Sequence, residues 1–562
     1  MKELSLARIV AEVLSRAGIG RVYGIIGTSV LDLVDALYDY KDRIDFVTTR
    51  HEQVAASAAD AEARVTGRPG VAVVHAGPGF LNTAISLGIA LRDRVPLLLV
   101  SGGVRRRLRG TGAWLEVDQE SVARGVAKSY HLVKSAGDAP EILADAIRES
   151  LEPPRGPVVV EVVEDAWNEK ARVPDEFPEN LDLAVEPGPG DAIALARDAL
   201  SLLEDAERPV ILACGELAFD PRFRQEDLLE LAERIGAYIV TSGNGRGACP
   251  EDHPRCLGRA GFGGGSLTAD TAFEKSDLVI VLGNEFDDIT TYAYTMLPEG
   301  DILVASLDPL VWKRPAYYEA YKADPIAALK ALLDEARRRG PAPKRGLDPI
   351  VGEAGRKWRA ILDEALRREY KDLPNPARFF RALDESLPRN RILSAGQGTH
   401  ILYTYSYMHI YRPRSFLAAT NLGAMGYAYP AALGASLARR DTPVVSVVGD
   451  GDFLMTVQDL ETAVREGAPV KVVVVNDNSY KVLYLRQVIQ KGGRVYETLL
   501  GNPDFVELAK SFGVRAMRVE SDSDTPKAID MILGSEGPVL VELPVRPDDL
   551  PPLNLEYTLR MS

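Results

Sequence analysis

Two short acidic motifs, Gly449-Asp450-Gly451 and Asn476-Asp477, contain residue types that together bind a metal ion and a diphosphate. The glycines let backbone N–H groups approach an anion closely. Carboxylate oxygens are hard ligands suited to Mg²⁺, which takes its remaining ligands from phosphate and water. We therefore expect Asp450 and Asp477 to face one pocket that holds a metal-bound diphosphate.

These motifs need elements that bring them to one place. Apolar β-branched runs over residues 444–448 and 470–475 predict buried strands that end at the two motifs. Between them apolar residues recur at helical spacing, and Thr456 with Asp459 is placed to cap the helix N-terminus. This order predicts a βαβ unit with parallel strands, in which ligands collect beyond the carboxyl ends of the strands.

The chain is too long, at 562 residues, for one hydrophobic core, and its length predicts about three domains. Two segments rich in proline and charge, residues 173–190 and 336–349, lack hydrophobic periodicity and predict exposed linkers. The stretches between them alternate apolar strands with helical patterns. We predict an α/β protein with three doubly wound parallel-sheet domains, over residues 1–172, 191–335 and 353–550.

Composition excludes several classes of partner. The net charge of −15 argues against nucleic acid and against an anionic membrane surface. No run approaches the roughly 18 apolar residues that span a bilayer, and the acidic, amphipathic start does not resemble a signal peptide. Cys214, Cys249 and Cys256 fit neither a disulfide framework nor a zinc spacing, which predicts a reducing, cytoplasmic compartment.

Residues 442–480 resemble the thiamin-diphosphate motif of the acetolactate synthase and 2-oxoacid decarboxylase superfamily. The resemblance implies that Asp450 and Asp477 are side-chain ligands of Mg²⁺ and that Ser479 adds a backbone carbonyl. The superfamily most often has Asn at the second position. Asp477 is therefore a departure that keeps an oxygen ligand and adds a negative charge.

Glu52 follows a strand-like run and opens a helix of small residues. On position alone, a glutamate here favours the helix dipole and needs no further role. Residues 50–82, however, resemble the pyrimidine-binding region of the same superfamily, including the Gly-Pro-Gly turn that begins at Gly77. The resemblance implies that Glu52 shares a proton with the cofactor's pyrimidine and so promotes loss of the proton on thiazolium C2.

Residues 421–430 resemble the region in which a bulky apolar side chain bends the cofactor. Met425 stands at that position, and the Gly423 carbonyl is expected to accept from the pyrimidine amine. A Met in such a segment is more often a core residue, so this role depends on the resemblance. The cofactor-binding residues expected in all are Gly27, Gly396, Gln397, Gly423, Met425, Gly449, Gly451 and Asp452.

The pattern is most similar to acetolactate synthase, with departures around the substrate. Leu115 replaces a Gln thought to help catalysis. The Arg-Phe-Asp-Asp-Arg string that often holds FAD is here Glu-Phe-Asp-Asp-Ile from Glu285, and the loss of both arginines argues against FAD. Lys481 and Arg486 replace the Gly and Trp usual after the metal loop. They are either solvated loop charges or ligands of a substrate carboxylate.

His75 favours another branch of the superfamily. It follows the predicted strand 71–74 and matches the position of an active-site His in benzoylformate decarboxylase, which has Ser where this chain has Thr28. A lone His at a strand end is more often a structural hydrogen-bonding group. Near the cofactor it is also a natural proton donor.

Our first hypothesis is a thiamin-diphosphate- and Mg²⁺-dependent enzyme that decarboxylates a pyruvate-like 2-oxo acid and ligates the fragment to a second carbonyl. The alternatives are a non-ligating decarboxylase of the benzoylformate type with His75 as acid/base, a CoA-thioester lyase of the oxalyl-CoA class, and a non-catalytic relative, against which Glu52 argues. In the superfamily the pyrimidine domain of one subunit meets the diphosphate domain of another. The resemblance thus implies a homodimer or a dimer of dimers with active sites at the interface.

Overall fold

The computed structural model describes residues 1–185, 187–315, 317–339 and 346–561. It contains three six-stranded sheets in which neighbouring strands run parallel. The predicted α/β fold with three parallel-sheet domains is confirmed. The chain divides into two compact units, the first made of Met1–Pro187, Asn421–Arg440 and Thr456–Ala468, and the second of Gly188–Thr420, Asp441–Met455 and Pro469–Ser562.

The sheet of the first unit is built on apolar strands buried on both faces, as expected for parallel strands covered by helices. A short antiparallel pair, Lys2–Ser5 with Lys170–Val173, accompanies it. The six-stranded sheet of the first unit has the strand order Asp45–Thr48, Arg21–Gly24, Gly70–Val74, Leu97–Gly103, Pro157–Val163 and Ser129–Val133. The helices of the unit are Leu6–Arg16, Leu31–Tyr38, Glu52–Thr66, Pro78–Leu81, Ala84–Arg92, Gln119–Val126, Ala139–Leu151, Ala428–Ala438 and Leu460–Arg465.

The second unit contains the other two sheets. One has the strand order Cys256–Arg259, Tyr238–Thr241, Pro209–Ala213, Leu278–Leu282, Asp301–Ser306 and Glu319–Lys322. Its helices are Ala192–Leu202, Gly215–Ala218, Gln225–Ile235, Leu267–Glu274 and Pro325–Arg339. We call this part, residues 192–339, the middle sheet region.

The remaining sheet carries the two acidic motifs. Its strand order is Phe416–Leu417, Ile392–Ala395, Val444–Gly449, Val470–Asn476, Val539–Pro544 and Arg515–Arg518. The predicted strands at 444–448 and 470–475 are confirmed, because both lie fully buried at the centre of this sheet. The helices after the middle sheet region are Asp348–Arg367, Pro376–Ser386, His400–Tyr407, Asp450–Phe453, Lys481–Gln490, Phe505–Ser511, Thr525–Gly534 and Leu555–Thr558. Of these, Leu555–Thr558 and the first half of Asp348–Arg367 pack against the middle sheet region.

The two predicted linkers are shorter than expected. Phe177, in the first, is 1% exposed and packs into the core of the first unit. The second begins inside the helix Pro325–Arg339 and ends in Asp348–Arg367, and its residues 340–345 lie outside the described residues, as does Glu186 of the first. Local composition suggested exposure at Phe177, and burial against distant strands overrode it.

The predicted capping pair does not form. Thr456 makes no side-chain capping bond. The Asp459 carboxylate instead accepts from the Arg50 backbone N–H at 2.8 Å and from the Thr462 hydroxyl at 2.8 Å. The regular helix that follows is also short, covering only Leu460–Arg465. A long-range partner has taken the carboxylate that local spacing assigned to the cap.

The cysteine prediction is wrong for one pair. Cys249 and Cys256 form a disulfide, with Cα atoms 6.0 Å apart, while Cys214 is buried with a free thiol. A separation of seven residues has no special meaning for disulfides by itself. The path of the loop before the strand Cys256–Arg259 brings the two side chains together.

Candidate active site

Asp450 directly follows the strand Val444–Gly449, and Asn476 ends the neighbouring strand Val470–Asn476 at the same edge of the sheet. Gly449 lies opposite Val475 in the parallel register, so the residues that follow emerge side by side. Gly449 also neighbours the strand Ile392–Ala395 across the point where strand order reverses, which is the usual ligand position of a doubly wound sheet. The two motifs are therefore brought together as the sequence predicted.

The Asp450 carboxylate is buried and held by hydrogen bonds. It accepts from the Gly451 backbone N–H at 2.8 Å and from the Asn502 side-chain amide at 2.6 Å. The same amide of Asn502 donates to the Asn476 side-chain oxygen at 2.9 Å, and the Asn476 amide donates to Glu542 at 2.8 Å. Burial raises the pKa of Asp450 despite these donors. A nearby cation would recover the energy that burial of this charge costs.

Asp477 lies beside Asp450 and is also buried. The Ser479 hydroxyl donates to its carboxylate at 2.6 Å. Burial raises the pKa of Asp477 to about 6, with the neighbouring Asp450 acting in the same direction and Lys481 opposing it. No cluster of three or more His, Cys, Asp or Glu suited to a metal occurs within the described residues. Two carboxylates nevertheless fit Mg²⁺ when a diphosphate completes its shell.

Lys481 and Arg486 lie in contrasting places on the helix Lys481–Gln490. Lys481 is 3% exposed, and its ammonium donates to the Arg546 carbonyl at 2.9 Å and lies 3.9 Å from the Asp477 carboxylate. Arg486 is exposed. Lys481 is therefore no solvated loop charge, whereas Arg486 has the exposure of one.

The loop after the strand Ile392–Ala395 closes around a buried imidazole. A Cβ added at Gly398 or at Gly449 would lie 2.8 Å from Nδ1 of His400, so both glycines give their side-chain space to the ring. Burial lowers the pKa of His400 to about 3, which keeps the ring neutral. Asp452, also buried, lies 3.9 Å from Nε2 of this ring. The glycines of this loop therefore make room for the imidazole, and their backbone N–H groups are the groups left to approach a diphosphate.

Gln397 and Gly396 complete this loop. The Gln397 amide donates to the Ala419 carbonyl at 3.3 Å, and the Gly396 backbone N–H donates to the Val447 carbonyl at 2.9 Å. Gly396 also packs against Asp452. These contacts fix the loop beside the strand that ends in the first acidic motif.

The second group of expected residues lies in the first unit. Glu52 is the first residue of the helix Glu52–Thr66, and its carboxylate accepts from the Asn82 amide at 2.9 Å. The other oxygen of Glu52 is 3.4 Å from where a Cβ on Gly79 would lie. A larger residue at Gly79 would crowd the carboxylate. The turn therefore keeps space open beside Glu52.

The Gly-Pro-Gly turn contacts the backbone of Leu115 through Gly77. Gly77 has φ of +62° and packs against the Leu115 carbonyl, a place where a side chain would clash. Leu115 itself has φ of +70°, an uncommon backbone conformation for a leucine. The structure thus puts Leu115 against the turn through its backbone.

His75 directly follows the strand Gly70–Val74 and faces Gly27, whose Cα packs against the ring. Its Nδ1 accepts from the Ser29 backbone N–H at 3.3 Å and lies 2.6 Å from the Ser29 hydroxyl. Burial lowers the pKa of His75, which favours the neutral ring. The Ser29 N–H that donates to Nδ1 favours the tautomer with its proton on Nε2. Thr28 is exposed beside this contact. His75 has both a structural hydrogen bond and a second nitrogen that carries a proton.

Met425 lies in a turn flanked by two glycines with positive φ, Gly423 at +70° and Gly426 at +77°. The Gln53 amide donates to the Gly426 carbonyl at 3.3 Å, which ties the turn to the start of the helix Glu52–Thr66 within the first unit. Met425 is half-buried. Half of the Met425 side chain is therefore packed against the protein, and the other half is accessible.

Four supporting residues escaped the sequence reasoning: Ser29, Asn82, His400 and Asn502. Asn82 closes the segment that resembles the pyrimidine-binding region, and His400 follows the Gly-Gln-Gly turn by two residues, so each had a neighbouring motif as a signal. Their partners are far away in sequence. Only the folded chain shows those partners.

In the middle sheet region the strand order reverses between the strands Pro209–Ala213 and Leu278–Leu282. We call such a place the switch point of a sheet. The buried Glu285 carboxylate fills it and accepts from the Gly215 backbone N–H at 2.7 Å and the Asn244 amide at 3.1 Å. An N–H bonded to a carboxylate is not open to a phosphate, and a second anion beside Glu285 would be repelled. The residues present do not fit the diphosphate of FAD here.

Comparison with known proteins identifies the same three parts. Residues 4–122 match the N-terminal TPP binding domain of thiamine pyrophosphate enzymes, residues 196–332 the central domain, and residues 396–543 the C-terminal TPP binding domain. Thiamine pyrophosphate is thiamin diphosphate, the cofactor implied by Glu52 and the acidic motifs.

Curated relatives cover nearly the whole chain. It is 31% identical to an acetolactate synthase of Mycobacterium bovis, over 96% of this chain and 90% of the relative. It is 30% identical to a probable acetolactate synthase large subunit of Methanocaldococcus jannaschii, over 97% and 93%. It is 32% identical to the chloroplastic acetolactate synthase 1 of Zea mays, over 96% and 85%. The chain is thus a thiamin-diphosphate-dependent enzyme that belongs to the acetolactate synthase and 2-oxoacid decarboxylase superfamily.

Proposed function

We propose that the enzyme decarboxylates pyruvate or a related 2-oxo acid and ligates the remaining fragment to a second carbonyl, as an acetolactate synthase does. The observation that carries this proposal is the similarity to acetolactate synthases over more than nine-tenths of the chain. The intact Glu52 and the paired acidic motifs agree with it.

Bound thiamin diphosphate supplies a nucleophilic carbon and an electron sink for decarboxylation. Glu52 holds the proton that it shares with the pyrimidine, and Asn82 fixes the orientation of its carboxylate. Met425 would give the bound cofactor an apolar support. Asp450 and Asp477 bind Mg²⁺ by their carboxylates, with Ser479 adding its carbonyl.

The test is the product formed from pyruvate alone with thiamin diphosphate and Mg²⁺, identified by mass spectrometry. Acetolactate is expected. Free acetaldehyde would instead indicate a simple decarboxylase. If neither acetolactate nor acetaldehyde forms, both functions are excluded for pyruvate. A panel of other 2-oxo acids and acyl-CoA thioesters then defines the substrate. EDTA treatment is expected to remove activity, and added Mg²⁺ to restore it.

A second candidate is a non-ligating decarboxylase of the benzoylformate type. The observation that favours it is His75, which carries a proton on Nε2 and lies across Gly79 from Glu52. There it would donate a proton to the decarboxylated fragment. His75→Ala would then remove aldehyde release, whereas in a carboligase that uses His75 only for structure it would mainly lower stability.

We also propose that the enzyme works without FAD and is no CoA-thioester lyase with a nucleotide in the middle sheet region. The support is Glu285, whose carboxylate already accepts from the Gly215 backbone N–H and the Asn244 amide at the end of the central strands. The purified protein is expected to show no flavin absorbance near 450 nm and no heat of binding with FAD or CoA. Stoichiometric flavin would contradict this part of the proposal.

The assembly proposed is a homodimer or a dimer of dimers with active sites at the subunit interface. The first unit leaves large apolar side chains exposed, as expected of a surface that another subunit covers: Ile26, Leu31, Leu81, Ile85 and Leu422. Native mass spectrometry tests the stoichiometry.

The proposed domain bounds, residues 1–172, 191–335 and 353–550, each enclose one sheet and one family match. The cytoplasm is the proposed location, although a Zea mays relative is named chloroplastic. No helix in the described part of the chain has the length and apolarity to cross a bilayer. Cell fractionation tests the location.

A further inference from the structure

Lys481 occupies a place that disfavours a cation twice over. Its side chain is 3% exposed, and burial of an ammonium is costly unless the charge is paired. It is also the first residue of the helix Lys481–Gln490, where the positive end of the helix dipole opposes a positive charge. Something specific must offset these costs.

The compensation comes from two segments: the loop 476–480, which we call the metal loop, and the segment 546–549, whose Asp548 and Asp549 also favour the charged ammonium. The Lys481 ammonium lies 3.9 Å from the Asp477 carboxylate, and it donates to the Arg546 carbonyl at 2.9 Å. Its position between a carbonyl and a buried carboxylate leaves it facing the acidic pair. Lys481 is therefore bound to the metal loop and is not offered to a substrate.

Asp477 and Lys481 form one unit of opposite charges. Asp477 carries a second negative charge beside Asp450, and Lys481 carries a positive charge four positions later. Two carboxylates with one ammonium leave the same net charge as one carboxylate with one amide. The added charges cancel within the site.

We propose that Lys481 is a fixed counter-cation of the Mg²⁺ site, whose ammonium offsets the second carboxylate and sets the affinity for the metal. This inference rests on the proposed function of Asp450 and Asp477 as Mg²⁺ ligands. Lys481 acts through Asp477 as a positioning and charge-compensating residue and does not itself touch the metal.

The experiment titrates Mg²⁺ calorimetrically into the full-length enzyme at saturating thiamin diphosphate. Lys481→Met is expected to tighten Mg²⁺ binding by about tenfold, because it removes the positive charge that lies 3.9 Å from the Asp477 carboxylate. Asp477→Asn alone is expected to weaken binding by a similar factor, since it removes a negative charge and leaves the Lys481 ammonium without that partner. The double variant is expected to return close to the wild type.

Lys491→Met is the matched control, because Lys491 is exposed at the end of the same helix and should leave Mg²⁺ binding unchanged. Thermal unfolding checks each fold. If Lys481→Met does not fold, the double variant is compared with Asp477→Asn. Mg²⁺ affinity close to the wild type supports the inference, and affinity as weak as that of Asp477→Asn contradicts it.

Unchanged or weaker Mg²⁺ binding in folded Lys481→Met would overturn the inference, as would a raised substrate KM with unaltered Mg²⁺ affinity. A wild-type enzyme that binds no Mg²⁺ with thiamin diphosphate would overturn the proposed metal site itself. The role of Lys481 is supported if the two single variants change the Mg²⁺ affinity in opposite directions and the changes cancel in the double variant.

Discussion

Glu52 owes its position to two local devices. It opens the helix Glu52–Thr66, whose N-terminal dipole favours the carboxylate, and the Asn82 amide holds one of its oxygens. Gly79 keeps the other oxygen accessible. A single carboxylate is thus oriented without being buried among charges, as a proton-sharing group requires.

Glu52→Gln is expected to lower kcat by about a hundredfold or more, in the range for loss of a general acid/base group. The amide keeps the size of the side chain and its contact with Asn82 but cannot exchange the proton. Exchange of the thiazolium C2 proton, followed by NMR, should slow in parallel while thiamin diphosphate still binds. Unchanged exchange in a cofactor-loaded variant would remove Glu52 from the proton transfer.

The site residues divide by how far away their partners lie. Asp450, Asp477 and Glu52 were predictable, because each sits next to a strand end or helix start that its neighbours in sequence define. Asn502 was not, since it reaches Asp450 from 52 residues away. Contacts of this kind follow from the sheet order, which no local pattern contains.

At the scale of elements, the helices Glu52–Thr66 and Ala428–Ala438 pack through small residues. A Cβ added at Gly434 would collide with the Ala58 backbone carbonyl, so the glycine permits the close approach. The Tyr427 hydroxyl donates to Asp60 at the same contact. Sequence showed two helices rich in small residues, but only the packing shows that they are partners.

Gly434→Ala is therefore expected to destabilise the protein by about 1–3 kcal/mol, as overpacking does. Denaturant unfolding followed by circular dichroism measures this change. Gly125→Ala is the matched control in the helix Gln119–Val126, where an added Cβ has open space. It should be neutral or slightly stabilising. Equal effects of the two substitutions would contradict the packing argument.

A second element-scale contact ties the chain's last segment to the middle sheet region. Buried Asp270 accepts from the Gly261 N–H, the Tyr292 hydroxyl and the Asn554 amide, each at 2.8 Å. Burial raises its pKa from 3.8 to about 7. Between these values the folded protein keeps a proton that the unfolded chain has released. The stability from this group is full below pH 4 and is lost as pH rises to 7.

Asp270→Asn is expected to flatten the pH dependence of the free energy of unfolding between pH 4 and 7. The slope should change by up to about 1.4 kcal/mol per pH unit, the value for one proton. Chemical denaturation at several pH values measures it. Asp301→Asn, at an exposed site in the same region, serves as the control. A slope that matches the wild type would show that Asp270 is ionised in the folded protein.

At the scale of the whole molecule, each of the three sheets places a candidate site residue or a buried carboxylate at its switch point. His75 and Gly27 follow the two strands that meet there in the first sheet, and Gly449 ends a switch-point strand in the sheet of the acidic motifs. In the middle sheet region the same position is filled by Glu285. The shared topology thus supplies two candidate cofactor sites and one that the chain closes with its own carboxylate.

Subunit complementation tests the proposed interface site. Glu52→Gln and Asp450→Asn should each be inactive alone. If one cofactor takes Glu52 from one subunit and Asp450 from its partner, co-expression of the two variants forms mixed dimers with one intact site, and activity returns. Mixed dimers, confirmed by differential tags, that stay inactive would place both residues of each site in one chain.

The sequence by itself determined the fold class, the cofactor and the main chemical groups. Buried parallel strands are short apolar runs whose ends carry the acidic motifs, so local order was enough for the fold class and for a metal-diphosphate site. The cofactor followed from the resemblance to the superfamily. The tertiary structure alone decided the burial of Lys481, the cysteine pairing, the neutral His400 and the closure by Glu285. The physical reason is that burial and pairing depend on groups brought together from distant parts of the chain, and these set the charge state and accessibility of each side chain.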